Sequence, residues 1–161
     1  MKKSTILLLV IVYIASFLVV GFLGQAIKGY NPVYYPEAIE LLEPDGIAYS
    51  ITKDVVDSKT GEITYNYYYV VRPYKEGMSF RLKSIVKPDN CTYPDVRYFK
   101  DESDTSFNLE TTDTNSSIEK NYAVITLNET PAPVITAKFN VSSTAPGSNI
   151  KLKIGVTFVN N

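Results

Sequence analysis

Three tyrosines at alternate positions, Tyr65, Tyr67 and Tyr69, are the residues best suited to form a recognition surface. In a strand, successive side chains point to opposite faces, so these rings would form one row with Tyr68 on the other face. An exposed row of tyrosines can stack on sugar rings or anchor a protein partner. Tyrosine is also a favoured strand residue, so simple packing at a sheet edge is the competing interpretation.

Four asparagines carry the acceptor pattern for N-glycosylation, in which Ser or Thr follows two positions later. They are Asn90, Asn115, Asn128 and Asn140. Such matches also arise by chance in a chain rich in Asn and Thr. Their presence agrees with an exported domain.

Acidic residues are concentrated in residues 101–119, which contain six Asp and Glu and no Lys or Arg. A calcium site is one interpretation, because Ca²⁺ takes six to eight oxygen ligands. The EF-hand spacing is not met, since Ile118 stands where that loop requires glycine. We predict a solvated, flexible loop and no metal site.

The common catalytic groups are missing from this chain. It has no histidine, the usual general base of serine and cysteine hydrolases, so Cys91, its only cysteine, lacks the partner that would form its thiolate. A single cysteine also excludes an intramolecular disulfide. We therefore predict a protein that is not an enzyme and needs no cofactor. A glycan-active enzyme that uses two carboxylates alone is an alternative.

The first structural element that the sequence predicts is a long apolar segment. Residues 4–27 contain no charged side chain and are long enough to cross about 30 Å of hydrocarbon as a helix. Lys2 and Lys3 precede the segment, which predicts a cytoplasmic N-terminus, a single pass through the plasma membrane and an extracellular remainder. The alternative is a cleaved signal peptide, because Gly24 and Ala26 are small residues of the kind that a signal peptidase recognises.

The charge of the remaining chain bears on its partners. Residues 28–161 carry 14 Lys and Arg against 17 Asp and Glu, a net charge of −3. Nucleic-acid binding requires concentrated basic charge, so we predict no nucleic-acid partner. The lipid bilayer is the expected partner of residues 4–27, and the remaining chain is expected to bind a protein or a glycan.

The segments after the apolar run indicate a β-rich domain. Pro32 and Pro36 predict an extended stalk at residues 28–45 between an anchor at 1–27 and a domain at 46–161. Turn-forming residues separate short segments rich in Val, Ile, Thr and Tyr. These predicted strands are residues 46–56, 62–71, 79–86, 96–99, 122–127, 134–141 and 150–159. About seven antiparallel strands without an amphipathic helix predict an all-β sandwich.

The clearest pattern is at the C-terminus. Ile150, Leu152, Ile154, Val156 and Phe158 line one face of the last predicted strand, while Lys151, Lys153 and Thr157 line the other. With the preceding Phe139-Asn140-Val141 strand and the Thr144-Ala145-Pro146-Gly147 turn, this pattern resembles the last hairpin of bacterial surface immunoglobulin-like domains. The resemblance implies an immunoglobulin-like architecture and no functional residues, because the Cys and Trp of antibody-type domains are missing.

Together these observations predict a membrane-anchored extracellular domain whose role is binding or assembly. One alternative is an accessory subunit of a membrane complex, in which the transmembrane helix recognises a partner. The other is the carboxylate-only glycan-active enzyme described above.

Overall fold

The computed structural model describes residues 3–28, 32–44, 47–128, 130 and 133–160, with the side chains of 24–28 excepted. These residues form one helix, α1 (Lys3–Lys28), and nine strands. The strands are β1 (Ala38–Leu41), β2 (Tyr49–Val56), β3 (Ile63–Val71), β4 (Ser79–Lys87), β5 (Val96–Lys100), β6 (Phe107–Thr111), β7 (Tyr122–Leu127), β8 (Val134–Ser143) and β9 (Lys151–Val159). The chain divides into two units at Val33, and all nine strands belong to the second.

Helix α1 is apolar around its whole circumference. Its described side chains are all exposed, so none of them packs into a protein core. Lys3–Leu23 rises by about 32 Å at 1.5 Å per residue, close to the thickness of a bilayer core. The helix is therefore long enough and apolar enough to span a membrane.

The strands form two sheets. The first has the order β1-β4-β7-β6, and all of its neighbours are antiparallel. The second has the order β2-β3-β9-β8-β5, in which β3 and β9 are parallel and the other neighbours antiparallel. The predicted β-rich architecture is thus present, with one parallel pair that was not predicted.

The two sheets pack face to face through large apolar side chains. Phe80 of β4 lies between Tyr69 of β3, 5.2 Å away, and Phe158 of β9, 6.4 Å away, measured between ring centroids. At the other side of the core, Phe107 of β6 faces Phe139 of β8 at 6.5 Å. Strict alternation in β4 places Phe80, Leu82, Ser84 and Val86 inward.

Two strands lie where the sequence predicted none. Strand β6 lies inside the acidic segment, because Phe107 and Leu109 are buried and pair with β7 while the acidic residues occupy mainly the flanking turns. The prediction of a loop throughout residues 101–119 is therefore wrong for 107–111. Strand β1 lies within the predicted stalk, where Ile39 is buried against β4. The β-domain thus begins earlier than predicted; residues 29–31 of the stalk, and Asp45 and Gly46 at its predicted end, lie outside the described residues.

The last strand has the predicted alternation of buried and exposed side chains, with one difference. Ile154, Val156 and Phe158 are completely buried, and Lys151 and Lys153 are exposed. Thr157 was placed on the solvent face but is also buried, because its hydroxyl lies 2.7 Å from the hydroxyl of Tyr68 and 2.8 Å from that of Thr136. The outer face of β9 is therefore covered at one end and open at the other.

Candidate binding face of the five-stranded sheet

The structure corrects the predicted row of exposed tyrosines. Tyr69 is completely buried in the core, and Tyr67 is half-buried against it. The rings of Tyr65 and Tyr68 lie together, 5.3 Å apart, and cover Gly155 on the outer face of the same sheet. The three alternate tyrosines therefore do not form one surface.

The β2–β3 hairpin is irregular next to Tyr65. Asp54 has a φ of +51°, and the register shifts between Val55, which pairs with Tyr65, and Val56, which pairs with Ile63. Such a bulge adds a residue to one strand. Tyr65 pairs in the same register as Tyr67, and its ring nevertheless lies beside Tyr68 over Gly155.

The acidic residues of 101–119 are held in separate local structures. Asp101 and Asp104 each accept hydrogen bonds from a serine two positions later, and the bonds from Ser103 lower the pKa of the Asp101 carboxyl. Glu110 accepts hydrogen bonds from the side-chain amides of Asn108 and Asn115. Within the described residues, no three His, Cys, Asp or Glu side chains come together as metal ligands.

The four candidate glycosylation asparagines differ in accessibility. Asn90 is exposed in the turn after β4. The glycan would be attached to Nδ2. In Asn115 this atom donates a hydrogen bond to Glu110, and in Asn128 it donates to the carbonyl of Thr105. Asn140 is half-buried within β8. Glycosylation stays a prediction, and Asn90 is the acceptor that would need the least rearrangement.

Cys91 occupies a structural position beside the segment that precedes β1. Its thiol is half-buried and lies 3.4 Å from the carbonyl oxygens of both Tyr34 and Tyr93. The neighbouring Thr92 exchanges two hydrogen bonds of 2.9 Å with Tyr34. Cys91 and Thr92 therefore hold the segment around Tyr34 in place before β1.

The outer face of the five-stranded sheet carries a cluster of cationic side chains that the sequence did not single out. We call it the basic face. It consists of Arg97, Phe99, Lys138, Asn140, Lys151 and Lys153, on strands β5, β8 and β9. Each of these residues alternates with side chains that pack into or against the core, such as Ala137 and Phe139 on either side of Lys138. The alternation directs all six outward.

Strand pairing sets the dimensions of the basic face. Neighbouring strands lie about 4.8 Å apart, so a row across three strands is roughly 10 Å wide. Lys138 and Ser142 are four residues apart on β8, a distance of about 14 Å along the strand. The rows are Phe99–Asn140–Lys153 and Arg97–Ser142–Lys151, with Lys138 in the row beyond.

The cations of this face have few carboxylate partners, although the Lys153 ammonium donates a hydrogen bond of 3.2 Å to the Ile63 carbonyl. Among the described residues, no carboxylate lies within 4.0 Å of the ammonium groups of Lys138, Lys151 or Lys153. Arg97 has one ion pair, to Asp113 at 3.8 Å, between two exposed side chains. The Lys151 ammonium lies 4.8 Å from the centroid of the Phe99 ring. The face therefore offers positive charge beside an aromatic ring and an amide.

One signal in the sequence pointed to this face. Residues 130–161 contain three lysines, Lys138, Lys151 and Lys153, and no Asp or Glu. The net charge of residues 28–161 is negative and so gives no indication of this local excess of lysine. Arg97 and Phe99 lie beside these lysines only because β5 pairs with β8. That pairing connects residues about 40 positions apart and has no local signature in the sequence.

The outer face of the four-stranded sheet has a groove of mixed charge, with a volume of about 480 Å³. The guanidinium of Arg81 lies 4.3 Å, and the ammonium of Lys83 5.0 Å, from the ring centroid of Tyr122. Glu43 and Glu119 also line the groove, and Glu119 approaches Arg81 at 3.9 Å. Cations and carboxylates are equal in number here.

No protein-family model, no curated protein and no solved structure matches this chain. What the domain offers to a ligand is therefore given by its own residues. The two sheets offer different chemistry: one has an open face whose three lysines have no carboxylate partner among the described residues, and the other has a groove with balanced charges.

Proposed function

We propose that this chain is a membrane-anchored extracellular domain whose role is binding and not catalysis. The observation that carries this proposal is helix α1, an apolar helix of membrane-spanning length with no buried side chain among those described, attached to a separate β-rich unit. An exposed apolar surface of this size is unfavourable in water and favourable in a bilayer.

Flanking charges support the orientation in this proposal. Lys2 and Lys3 precede the apolar run, whereas residues 28–52 beyond it contain one cation, Lys28, and four acidic side chains. Positive residues near a membrane span are retained in the cytoplasm, which leaves the β-domain outside. The acceptor patterns for N-glycosylation agree with this side of the membrane.

The order of the strands supports an immunoglobulin-like architecture for the exported domain. Immunoglobulin-type sandwiches have strands A, B, E and D in one sheet and C, F and G in the other. The order β1-β4-β7-β6 corresponds to A-B-E-D, and β9-β8-β5 corresponds to G-F-C. In this interpretation, the β2–β3 hairpin is an insertion between A and B that extends the second sheet.

Binding is favoured over catalysis by the contacts of the candidate nucleophile and by the shape of the domain. Cys91 is engaged by backbone carbonyl oxygens, and the chain has no histidine to activate it. The cationic cluster of the basic face lies on the open surface of a sheet, which suits an extended ligand better than a small enclosed substrate.

A carboxylate-only enzyme is the second candidate, because Glu43 and Glu119 line one groove. Two carboxyl groups facing across a cleft are the minimal machinery of glycoside hydrolysis. If this alternative is correct, the full-length chain releases reducing ends from a glycan substrate, and both Glu43→Gln and Glu119→Gln abolish the release. We expect no such release.

Anchoring is tested by the fate of the N-terminal segment in membranes. We expect the mature protein to retain residues 1–27 and to stay in the membrane pellet after carbonate extraction, because α1 remains inserted. Intact-mass measurement of the purified protein and immunoblotting of the two fractions provide the readouts. A mature chain that begins near Ile27 and is released by carbonate would overturn the proposal of an uncleaved anchor.

A further inference from the structure

We propose that the basic face binds an acidic polysaccharide, a sugar polymer that carries carboxylate or sulfate groups. This inference rests on the proposed function of the chain as an exported binding domain. It names the surface, formed by Arg97, Phe99, Lys138, Asn140, Lys151 and Lys153, and the chemistry of the ligand.

Charge complementarity is the first argument. Three lysine ammonium groups without a carboxylate partner among the described residues share an area of roughly 10 by 14 Å with Arg97. Like charges gathered at this spacing repel one another, and a ligand with regularly spaced anions relieves that repulsion at several points at once. Asp101, which follows β5 at the edge of the face, has its carboxylate held by Ser103. Asp101 stays an anion while it accepts these bonds, but it forms no ion pair with Lys138, since no carboxylate among the described residues lies within 4.0 Å of that ammonium.

The groups between the cations suit a sugar. The Asn140 side chain lies in the same row as Phe99 and Lys153, and Ser142 lies between Arg97 and Lys151. Amides and hydroxyls form hydrogen bonds with sugar hydroxyls, and an aromatic ring packs against the apolar face of a sugar ring. At the edge of the same outer face, Tyr65 and Tyr68 add two further rings over Gly155. Cations, hydrogen-bonding groups and aromatic rings therefore alternate across one flat surface.

A nucleic acid fits the domain less well. The Asn140 amide and the Ser142 hydroxyl can each donate to and accept from the hydroxyls of a sugar, whereas the phosphates of a nucleic-acid backbone only accept hydrogen bonds. Nucleic-acid binders also concentrate basic charge, and residues 28–161 have a net charge of −3 with the basic face included.

The test is a binding measurement on the full-length protein in a non-ionic detergent. Four probes are compared: polygalacturonate, which carries carboxylates, dextran sulfate, which carries sulfates, neutral dextran and single-stranded DNA. The test variant combines Lys138→Gln, Lys151→Gln and Lys153→Gln. The control variant combines Lys59→Gln, Lys75→Gln and Lys83→Gln, which removes the same charge from other surfaces of the domain. Circular dichroism melts establish that both variants fold.

We expect the wild type to bind at least one of the two acidic polysaccharides and not dextran, with an affinity that decreases as salt increases. The test variant should bind about tenfold more weakly or worse, because three exposed charge interactions are lost, and the control variant should stay within about twofold of wild type. Preference for carboxylate or sulfate identifies the anionic group.

Three results would overturn the proposal. Equal loss of affinity in both variants would mean that only the net charge matters, and tighter binding of DNA than of either polysaccharide would assign the face to another polymer. If the folded wild type binds neither polysaccharide, an acidic polysaccharide is not the ligand of this face. This measurement in detergent is independent of anchoring, so its failure and a failure of the membrane anchor are distinguishable.

Discussion

Asn121 connects the two sheets at one end of the domain. Its backbone has a φ of +64°, a conformation that Asn tolerates better than most residues, and its carbonyl oxygen accepts hydrogen bonds from the Ser84 amide and the Tyr98 hydroxyl. Its side chain accepts from the Val96 amide at 2.9 Å and donates to the Pro94 carbonyl at 2.8 Å. One residue thus joins β4, β5 and the start of β7.

Substitution of Asn121 separates its conformational role from its hydrogen bonds. Asn121→Ala should lower the free energy of unfolding by about 3 kcal/mol, because it loses two hydrogen bonds and strains the backbone. Asn121→Gly loses the same bonds without strain and should cost about 1–2 kcal/mol. Chemical denaturation of the full-length variants provides the comparison. Equal losses would show that the positive φ contributes nothing.

The buried tyrosines Tyr69 and Tyr98 differ in what their hydroxyls contact. The Tyr98 hydroxyl lies 2.5 Å from Ser84 Oγ and also donates to the Asn121 carbonyl. The Tyr69 hydroxyl has no hydrogen-bond partner among the described residues. We expect Tyr69→Phe to leave stability unchanged or to raise it by up to about 1 kcal/mol, and Tyr98→Phe to cost about 1–2 kcal/mol. Thermal melts at neutral pH give the ranking, and a larger loss for Tyr69→Phe would contradict it.

The same two hydroxyls predict sensitivity to alkaline pH. Burial raises the pKa of both Tyr69 and Tyr98 above the ordinary value of 10.0. Above that value the unfolded chain loses these protons while the folded chain retains them, so the stability that is complete below pH 10 decreases as pH rises further. Each tyrosine adds a slope of up to about 1.4 kcal/mol per pH unit.

The alkaline prediction is checked with denaturant titrations from about pH 9 to about pH 11. The slope of stability against pH should be shallower in the Tyr69→Phe and Tyr98→Phe double variant than in the wild type. Because the readout is a slope, the lower neutral stability of the variant does not affect it. Identical slopes would show that these two groups titrate alike in the folded and unfolded chain.

At the scale of elements, the edge strand β2 is protected by its own irregularity. Its side chains are largely exposed on both faces, and Ile51 and Val56 are exposed apolar residues of the kind that promote strand-to-strand association. Asp54, with its positive φ, interrupts the extended backbone midway along the strand, and Lys53 places a charge next to it. Bulges and charges at sheet edges oppose the addition of another strand.

Strand β9 gives the most direct test of register. Ile154 is completely buried, whereas Lys153 is exposed on the basic face. Ile154→Asp should cost several kcal/mol, comparable to the roughly 5–15 kcal/mol of a typical domain, because it buries an unpaired carboxylate. Lys153→Asp should change stability by no more than about 0.5 kcal/mol. Thermal melts of the two full-length variants compare these losses. Equal melting temperatures would contradict the alternation of buried and exposed side chains in this strand.

The sequence predicts local patterns well and non-local ones poorly. The alternation of β9 and the break between the predicted strands 46–56 and 62–71 each depend on a few neighbouring residues, and the structure confirms them. Strand β6 was missed because Phe107 and Leu109 are too few to outweigh the surrounding acidic and hydroxyl residues. The basic face was missed because it depends on how β5, β8 and β9 pair.

At the scale of the whole molecule, charge is distributed unevenly. Three of the lysines share the outer face of the five-stranded sheet with Arg97, while residues 101–119 contain six carboxylates and no Lys or Arg. Together with the apolar helix, this gives two surfaces of distinct chemistry, one apolar and one basic. The proposed function assigns the first to anchoring and the second to ligand binding.

The claim on which this account depends is that the β-domain is displayed outside the cell. It is tested with single cysteines in a Cys91→Ser background, since serine preserves a donor to the Tyr34 and Tyr93 carbonyls. Asn149→Cys lies in the exposed turn between β8 and β9, and a cysteine inserted between Met1 and Lys2 keeps both lysines that precede the apolar run. We predict that a membrane-impermeant maleimide labels the cysteine at 149 on intact cells and the inserted cysteine only after permeabilisation. The reverse pattern, or labelling of neither until the cells are opened, would contradict it.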